Sequence, residues 1–348
     1  MKKFFEGKTI YITGHTGFKG SWLCEILTKW NAKVYGFSLE PPTNPNLYSL
    51  LELDSKINST IGDIRDLNKL KNSFNKIQPE IVIHMAAQPL VRESYKNPHY
   101  TYETNVMGTV NICECVRNSK SVKSFLNVTT DKVYENKEKQ EGYKEDEKLD
   151  GYDPYSNSKS CSEIITHSYN NSFFKKLNIP TSTARAGNVI GGGDFAVDRI
   201  IPDCVRSALK NENIIIRNPY SIRPYQHVLE PLNVYLTIVQ KQYEDISYAD
   251  YYNVGPDDDD CITTGNLADL FCEKWGEGIK WINKNENDAP HESNFLKLDS
   301  TKIKKTFNWK PKWKIEKAVE KTIEWTKVYS KKENIIKCTD NQIDEFFK

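Results

Sequence analysis

The chain is expected to form an α/β fold, a doubly wound parallel sheet with helices on both faces, followed by a smaller α+β lobe. Three observations predict this. A glycine-rich turn joins a short strand to a helix near the start of the sequence. Strand-like and helix-like segments then alternate through the first half. After Gly191-Gly192-Gly193 the segments become shorter and more mixed.

Each element follows from its own residues. Residues 9–12 are a short apolar run and read as the first strand. The turn Thr13-Gly14-His15-Thr16-Gly17-Phe18-Lys19-Gly20 comes next, and residues 21–27 read as a helix. Residues 32–39 form the second strand, and Pro41-Pro42-Thr43-Asn44-Pro45 makes a loop. Residues 57–61 are a third strand ending at Gly62-Asp63, and residues 67–74 have helical spacing. Residues 80–87 read as a buried fourth strand, 124–130 as a fifth and 180–185 as a sixth. Long helices are expected over 102–116 and 156–177. Residues 228–240 read as another long helix, returning to the first lobe. The expected division is a nucleotide-binding domain at 1–187 with 226–254 coming back to it, a second lobe at 188–330, and a polar, frayed helical tail at 331–348.

Composition narrows the function. With 348 residues, the chain can bury a sizeable core. At 38% hydrophobic and 27% charged residues it reads as a soluble globular protein. A net charge of +1 argues against a nucleic-acid or membrane partner recognised by bulk charge. No apolar run reaches membrane-spanning length, and residues 1–8 lack the core of a signal peptide. The eight cysteines include no C-x-x-C pair, which predicts reduced thiols in a cytoplasmic protein and no metal site. The acidic run Asp257-Asp258-Asp259-Asp260 lacks calcium-loop spacing and reads as a solvated loop.

Two motifs carry chemistry. Gly14, Gly17 and Gly20 stand at G-x-x-G-x-x-G spacing between a strand and a helix. That geometry binds a dinucleotide pyrophosphate, because the backbone can approach the phosphates and the helix N-terminus offers free N–H groups. Tyr155 and Lys159 form a Tyr-x-x-x-Lys motif at the start of a helix, where both lie on one face. An ammonium near a phenol favours the phenolate, which can take a proton from a sugar hydroxyl while hydride leaves the same carbon.

These motifs, with longer strings, resemble the extended short-chain dehydrogenases/reductases that act on nucleotide sugars, a Rossmann-type family. The strings His84-Met85-Ala86-Ala87-Gln88-Pro89-Leu90-Val91-Arg92, Thr104-Asn105-Val106-Met107-Gly108-Thr109 and Thr129-Thr130-Asp131-Lys132-Val133-Tyr134 carry the likeness. So do Arg185 through Asp194, Arg223 through Leu232, and Pro290-His291-Glu292. Within that family the strings are similar to the CDP-glucose 4,6-dehydratase branch.

The resemblance implies NAD as cofactor and a homodimer built through the two long helices. It implies oxidation at sugar C4, loss of water across C5 and C6, and return of hydride to C6. The product class usually feeds deoxysugars of bacterial surface polysaccharides. Cofactor contacts are implied for Gly14, Gly17, Phe18, Gly20, Asp63, Ile64, Ala86, Ala87, Gln88, Asn105, Tyr155 and Lys159, with Ile64 packing on the base. No arginine follows the second strand, where Ser38, Leu39 and Glu40 stand, so NAD is favoured over NADP. Tyr155 is implied as the base at the 4-hydroxyl, Thr130 as its hydrogen-bonding partner and Asp131 as the acid at the 6-hydroxyl. In dTDP-glucose 4,6-dehydratases an acidic residue follows that acid; here Lys132 does. Either it loses its proton by desolvation, or it stabilises the enolate as a cation while another group takes the C5 proton. Arg92, Asn188, Arg199, Arg217, Arg223 and His291 are the substrate candidates, Arg223 first because a guanidinium fork suits a diphosphate. His227 reads as structural. A GDP-, dTDP- or UDP-sugar dehydratase or 4-epimerase is the competing reading, and a non-catalytic NAD-binding protein a third. Asp131 argues for elimination, since the epimerases lack that acid.

Overall fold

The computed structural model describes residues 1–284 and 295–348. Six strands form where the sequence places them: β1 (Thr9–Thr13), β2 (Lys33–Ser38), β3 (Asn58–Ile61), β4 (Ile81–His84), β5 (Ser124–Val128) and β6 (Thr181–Ala186). β4 and β5 end earlier than residues 87 and 130, because the chain leaves the sheet there to build the loops of its C-terminal edge. Short strands follow: β7 (Val189–Ile190), β8 (Ile214–Ile216), β9 (Ile222–Pro224) and β10 (Gln226–His227). β11 (Tyr251–Val254) then returns to pair with β6. The sheet has seven strands in the order β11-β6-β5-β4-β1-β2-β3, and every pairing in it is parallel.

Period-two alternation explains how one strand serves two layers. Ile10 and Ile12 of β1 join a core cluster with Trp22, Leu23 and Ile26. Tyr11 between them joins another with Phe74, Ile112 and Phe125 on the opposite face. The helix Leu229–Glu244 covers the first face, fixed by hydrogen bonds from Ser124 Oγ to Val239 O (2.9 Å) and from Gln242 Nε2 to Phe125 O (3.0 Å). On the second face the expected helix over 102–116 is a run of Pro98–Tyr102, a π turn at Glu103–Met107, and Gly108–Arg117. The other long helix spans Pro154–Tyr169, with Asp153 capping it by accepting from Ser156 N (3.0 Å) and Pro154 in its first turn. It passes into a second π turn at Asn170–Phe174.

The smaller lobe pairs β7 with β10, β9 with β12 (Cys261–Thr263), and β8 with β13 (Trp281–Asn283). Its core gathers Ile201, Ile214, Tyr225, Phe271, Trp275 and Val319.

The C-terminal residues correct the expectation of a polar, frayed tail. The helix Ile335–Phe347 buries Ile335, Cys338, Thr339, Gln342, Ile343 and Phe346. Those positions recur every three or four residues, a helical stripe that the surrounding lysines hide in a composition-based reading. Phe347 stacks edge-on against Trp30 (4.8 Å) and Phe346 against Trp313 (5.0 Å). Among the described residues no helix is long and apolar enough to cross a membrane, and all eight cysteines are free thiols.

Candidate active site

The glycine turn lies at the C-terminal end of β1. Gly14 has a φ of +80°, and a Cβ there would sit 2.8 Å from Ala86 N. A Cβ at Gly20 would sit 2.2 Å from Gly14 O, so the turn and helix close together only without side chains. Gly17 is different. It caps the helix Phe18–Lys29, and its nearest neighbour to a Cβ is Gly14 O at 3.5 Å. A side chain there would fill the open cradle in front of the helix N-terminus, where a pyrophosphate would lie. The turn is anchored from beneath: Thr13 Oγ1 accepts from Met85 N (3.1 Å) and Ala86 N (3.2 Å), and Thr16 Oγ1 donates to Leu39 O (2.8 Å). These residues fit a bound dinucleotide.

The adenine-side candidates divide. Arg65 Nη2 lies 2.7 Å from Asp63 Oδ2 and holds that carboxyl below its usual range. Ile64, expected to pack on the base, is 5% exposed and lies against Gly108 of the neighbouring helix. Gln88 and Asn105 form a buried brace. Asn105 Oδ1 accepts from Gln88 N (2.8 Å), and its amide donates to Gln88 O (3.1 Å) and Ser158 Oγ (2.9 Å). The brace ties the loop after β4, with Ala86 and Ala87, to the helix bearing Tyr155. The π turn at Glu103–Met107 carries Asn105.

The chemistry-bearing residues meet at the end of β5. Thr130 caps a short 3-10 turn at Asp131–Val133, accepting from Lys132 N (3.5 Å) and donating to Asp131 Oδ1 (2.9 Å). Asp131 is 1% exposed, and its Oδ2 has no hydrogen-bond partner among the described residues. Burial raises its pKa, against the opposing pull of Lys132, Thr130, Arg223 and Lys19. Tyr155 faces the same point, partly exposed. Burial pushes its phenol up to about 12; Thr130 and Arg199 act in the opposite direction. Burial lowers Lys159 to about 8, and Glu163 opposes that. Lys159 Nζ donates to Val128 O (3.2 Å), so its long stem is drawn to the carbonyl that ends β5.

Two residues escaped the sequence reading. Desolvation lowers Lys19, from the glycine turn, to about 8, with Arg199 and Lys159 lowering it further and Asp131 raising it. Its Nζ approaches Tyr235 Oη (3.5 Å). The one signal was a lysine in an otherwise apolar helix start. Glu163 lies one turn beyond Lys159 and is fully buried, accepting from Thr129, from Thr183 Oγ1 (2.8 Å) and from Arg185 Nη2 (3.0 Å).

The second lobe supplies arginines. Arg223, 7% exposed, is near enough to Asp131 to bear on its proton affinity. Arg199 is held by Asp194 (2.8 Å) and acts on Tyr155. Asn188 O accepts from Gln226 N (3.0 Å) where β7 and β10 begin to pair. Arg92 sits on the helix Val91–Lys96 directly after the β4 loop. Arg217 pairs with Asp198 (2.9 Å). His291 lies outside the described residues. His227 is buried between Trp22 and Trp313, accepting from Leu229 N (3.3 Å).

The family model described as GDP-mannose 4,6 dehydratase matches residues 11–322. A CDP-glucose 4,6-dehydratase of Salmonella typhimurium is 46% identical over 351 aligned positions, covering 99% of this chain and 98% of that protein. Among solved structures, the UDP-glucose 4-epimerase of Thermotoga maritima with UDP-glucose superposes with a TM-score of 0.80 at 21% identity, covering 92% of this chain and 99% of that one. The dTDP-glucose 4,6-dehydratase of Bacillus anthracis in complex with NAD superposes with a TM-score of 0.76 at 22% identity, covering 96% and 100%. With a matching fold, an end-to-end relative and a family model over most of its length, the chain belongs to the nucleotide-sugar 4,6-dehydratases of the extended short-chain dehydrogenase/reductase family.

Proposed function

We propose that the chain is a CDP-glucose 4,6-dehydratase that uses NAD and releases CDP-4-keto-6-deoxyglucose. The observation that carries this is the 46% identity, end to end, with the Salmonella enzyme of that name. Gly14, Gly17 and Gly20 would hold NAD, which would supply the hydride acceptor and donor for sugar C4 and C6. The chain's own residues do the rest. Tyr155 takes the proton of the 4-hydroxyl, and Thr130 orients that oxygen. The C4 ketone acidifies the C5 proton; either Lys132 takes it as a neutral amine, or Lys132 stabilises the enolate as a cation while another group takes the proton. Asp131 passes its proton to the C6 hydroxyl, which leaves as water. Its buried, unpartnered Oδ2 suits a carboxyl that keeps a proton until it is needed.

Arg223 and Arg199 bind the diphosphate, drawing residues 188–225 and 255–330 over the domain formed by 1–187 and 226–254. The chain works as a homodimer. Met107 (50% exposed) and Ile164 (53% exposed) support pairing through the two long helices, which would cover them. Eight free thiols suit the reducing cytoplasm.

The test is a product assay with CDP-, dTDP-, GDP- and UDP-glucose offered separately to purified protein. Loss of one water from CDP-glucose, read by mass and by alkaline near-ultraviolet absorbance of the keto sugar, is the expected result. Loss from another donor instead would overturn the cytidine assignment, and loss from none would overturn the dehydratase reading.

A further inference from the structure

We infer that Glu163 is the positioning residue of this centre: its carboxylate clamps the Thr129-Thr130-Asp131 turn to the helix carrying Tyr155 and Lys159, and it is the fixed negative charge behind Lys159. The inference rests on the proposed roles of Thr130, Asp131, Tyr155 and Lys159.

The geometry is one of spacing and reach. Tyr155, Lys159 and Glu163 follow at four-residue intervals along the helix Pro154–Tyr169 and so share one face. Glu163 is fully buried, and its two oxygens serve different strands. Oε1 takes the hydroxyl of Thr129, the residue directly before Thr130. Oε2 takes Thr183 Oγ1 (2.8 Å) and Arg185 Nη2 (3.0 Å) from β6. Arg185 continues to Tyr134 Oη (2.7 Å), which donates to Asn253 Oδ1 (2.6 Å) on β11. One carboxylate thus registers the end of β5, β6 and the catalytic helix against each other. A one-ångström slip among those elements would misplace the proton path between Tyr155 and Asp131.

Charge adds a second role. Lys159 faces Glu163 from its own helix, Lys19 from the glycine-turn helix and His84 from β4. Glu163 faces Arg185 from β6, Tyr134 from the turn after β5, Tyr251 from β11 and His167 from its own helix. Among the groups acting on Lys159, Glu163 favours the cation. Lys19 and His84 supply no anion at neutral pH.

The test replaces Glu163 in the full-length protein and reads Lys159 directly. Lysine is labelled at Cε, and the Lys159 signal is assigned by its loss in Lys159→Met. In Glu163→Gln the titration midpoint of Lys159 is expected to fall by about one pH unit or more. Glu163→Asp keeps the charge and should hold the midpoint near the native value, while turnover drops because the shorter arm loosens the clamp. Glu163→Gln leaves Arg185 without its anion and can fail to fold. The double variant Glu163→Gln/Arg185→Met removes both charges and so leaves no unpaired ion buried. It is expected to fold and to show a lowered midpoint, by less than Glu163→Gln because the Arg185 cation is lost as well. With the native enzyme turning over, the alkaline limb of kcat should move down by the same amount. An unmoved midpoint in any folded variant lacking the carboxylate overturns the inference, whether or not the protein is active. A native protein inert towards all four nucleotide sugars would overturn the proposed function while leaving the Lys159 midpoint readable.

Discussion

Two buried carboxylates flank the end of β5, and their surroundings differ far more than their burial. Asp131 is 1% exposed and Glu163 is 0% exposed. On the cleft side, Asp131 has Thr130 on one oxygen and no hydrogen-bond partner on the other among the described residues. On the inner side, Glu163 has hydroxyls on both oxygens and a guanidinium. Burial raises Asp131, and its charged neighbours do not reverse this. Burial also acts upward on Glu163, but Arg185, His167 and Thr129 overcome it and hold the carboxyl at about 2. Desolvation acts on both groups in the same direction, so hydrogen-bonded partners decide the sign. The cleft side can exchange a proton; the inner side keeps a permanent charge.

The contrast can be broken in three ways. The largest effect is expected from Asp131→Asn, which should slow dehydration by about 10²–10⁴-fold, the usual worth of a positioned acid. Reduced cofactor should then accumulate, visible in near-ultraviolet absorbance on mixing with substrate. Native turnover without that signal would remove Asp131 from its role. Next comes Arg185→Met, which leaves Glu163 buried without its cation and should cost about 3–5 kcal/mol in a denaturant melt. A loss below about 1 kcal/mol would mean that hydroxyls alone hold the carboxylate.

The third comparison uses pH. Glu163 sits below its ordinary value when folded, so its stabilisation is present above about pH 4.5 and fades as pH falls towards about 2, an amount on the order of 3 kcal/mol. Asp131 runs the other way. Its raised value means that stability is lost as pH rises above the ordinary carboxylate range, and Asp131→Asn, which cannot ionise, should therefore raise the melting temperature at neutral pH. Acid titration of the melting temperature checks both signs. The native curve should fall steeply below pH 4.5, Glu163→Gln should flatten it, and a melting temperature lowered by Asp131→Asn would contradict the assignment.

Legibility followed range. The first six strands, the glycine turn and the Tyr155–Lys159 pair depend on neighbours a few residues away, so periodicity and spacing expose them. Asp131 was legible through its string, but its unpartnered oxygen was not, since that depends on which groups reach it from other elements. Glu163 was overlooked because its partners come from β5 and β6. Lys19 was overlooked because a lysine beside a phosphate turn has an ordinary surface reading until Arg199, Lys159 and Asp131 are placed around it. The C-terminal helix was misread because lysine content masked a regular apolar stripe.

That last helix sets a timetable for the growing chain. Its Phe347 covers Trp30, which itself stacks on Phe5 (5.8 Å). Lys29 reaches Asp340 (3.5 Å) and Asp344 (3.2 Å). The first strand and the glycine-turn helix leave the ribosome well ahead of the segment that seals their outer face, which is made more than three hundred residues later. Until the helix Ile335–Phe347 is made that aromatic patch lacks its cover, so a chaperone that binds exposed aromatics would meet the patch early and be displaced by that helix.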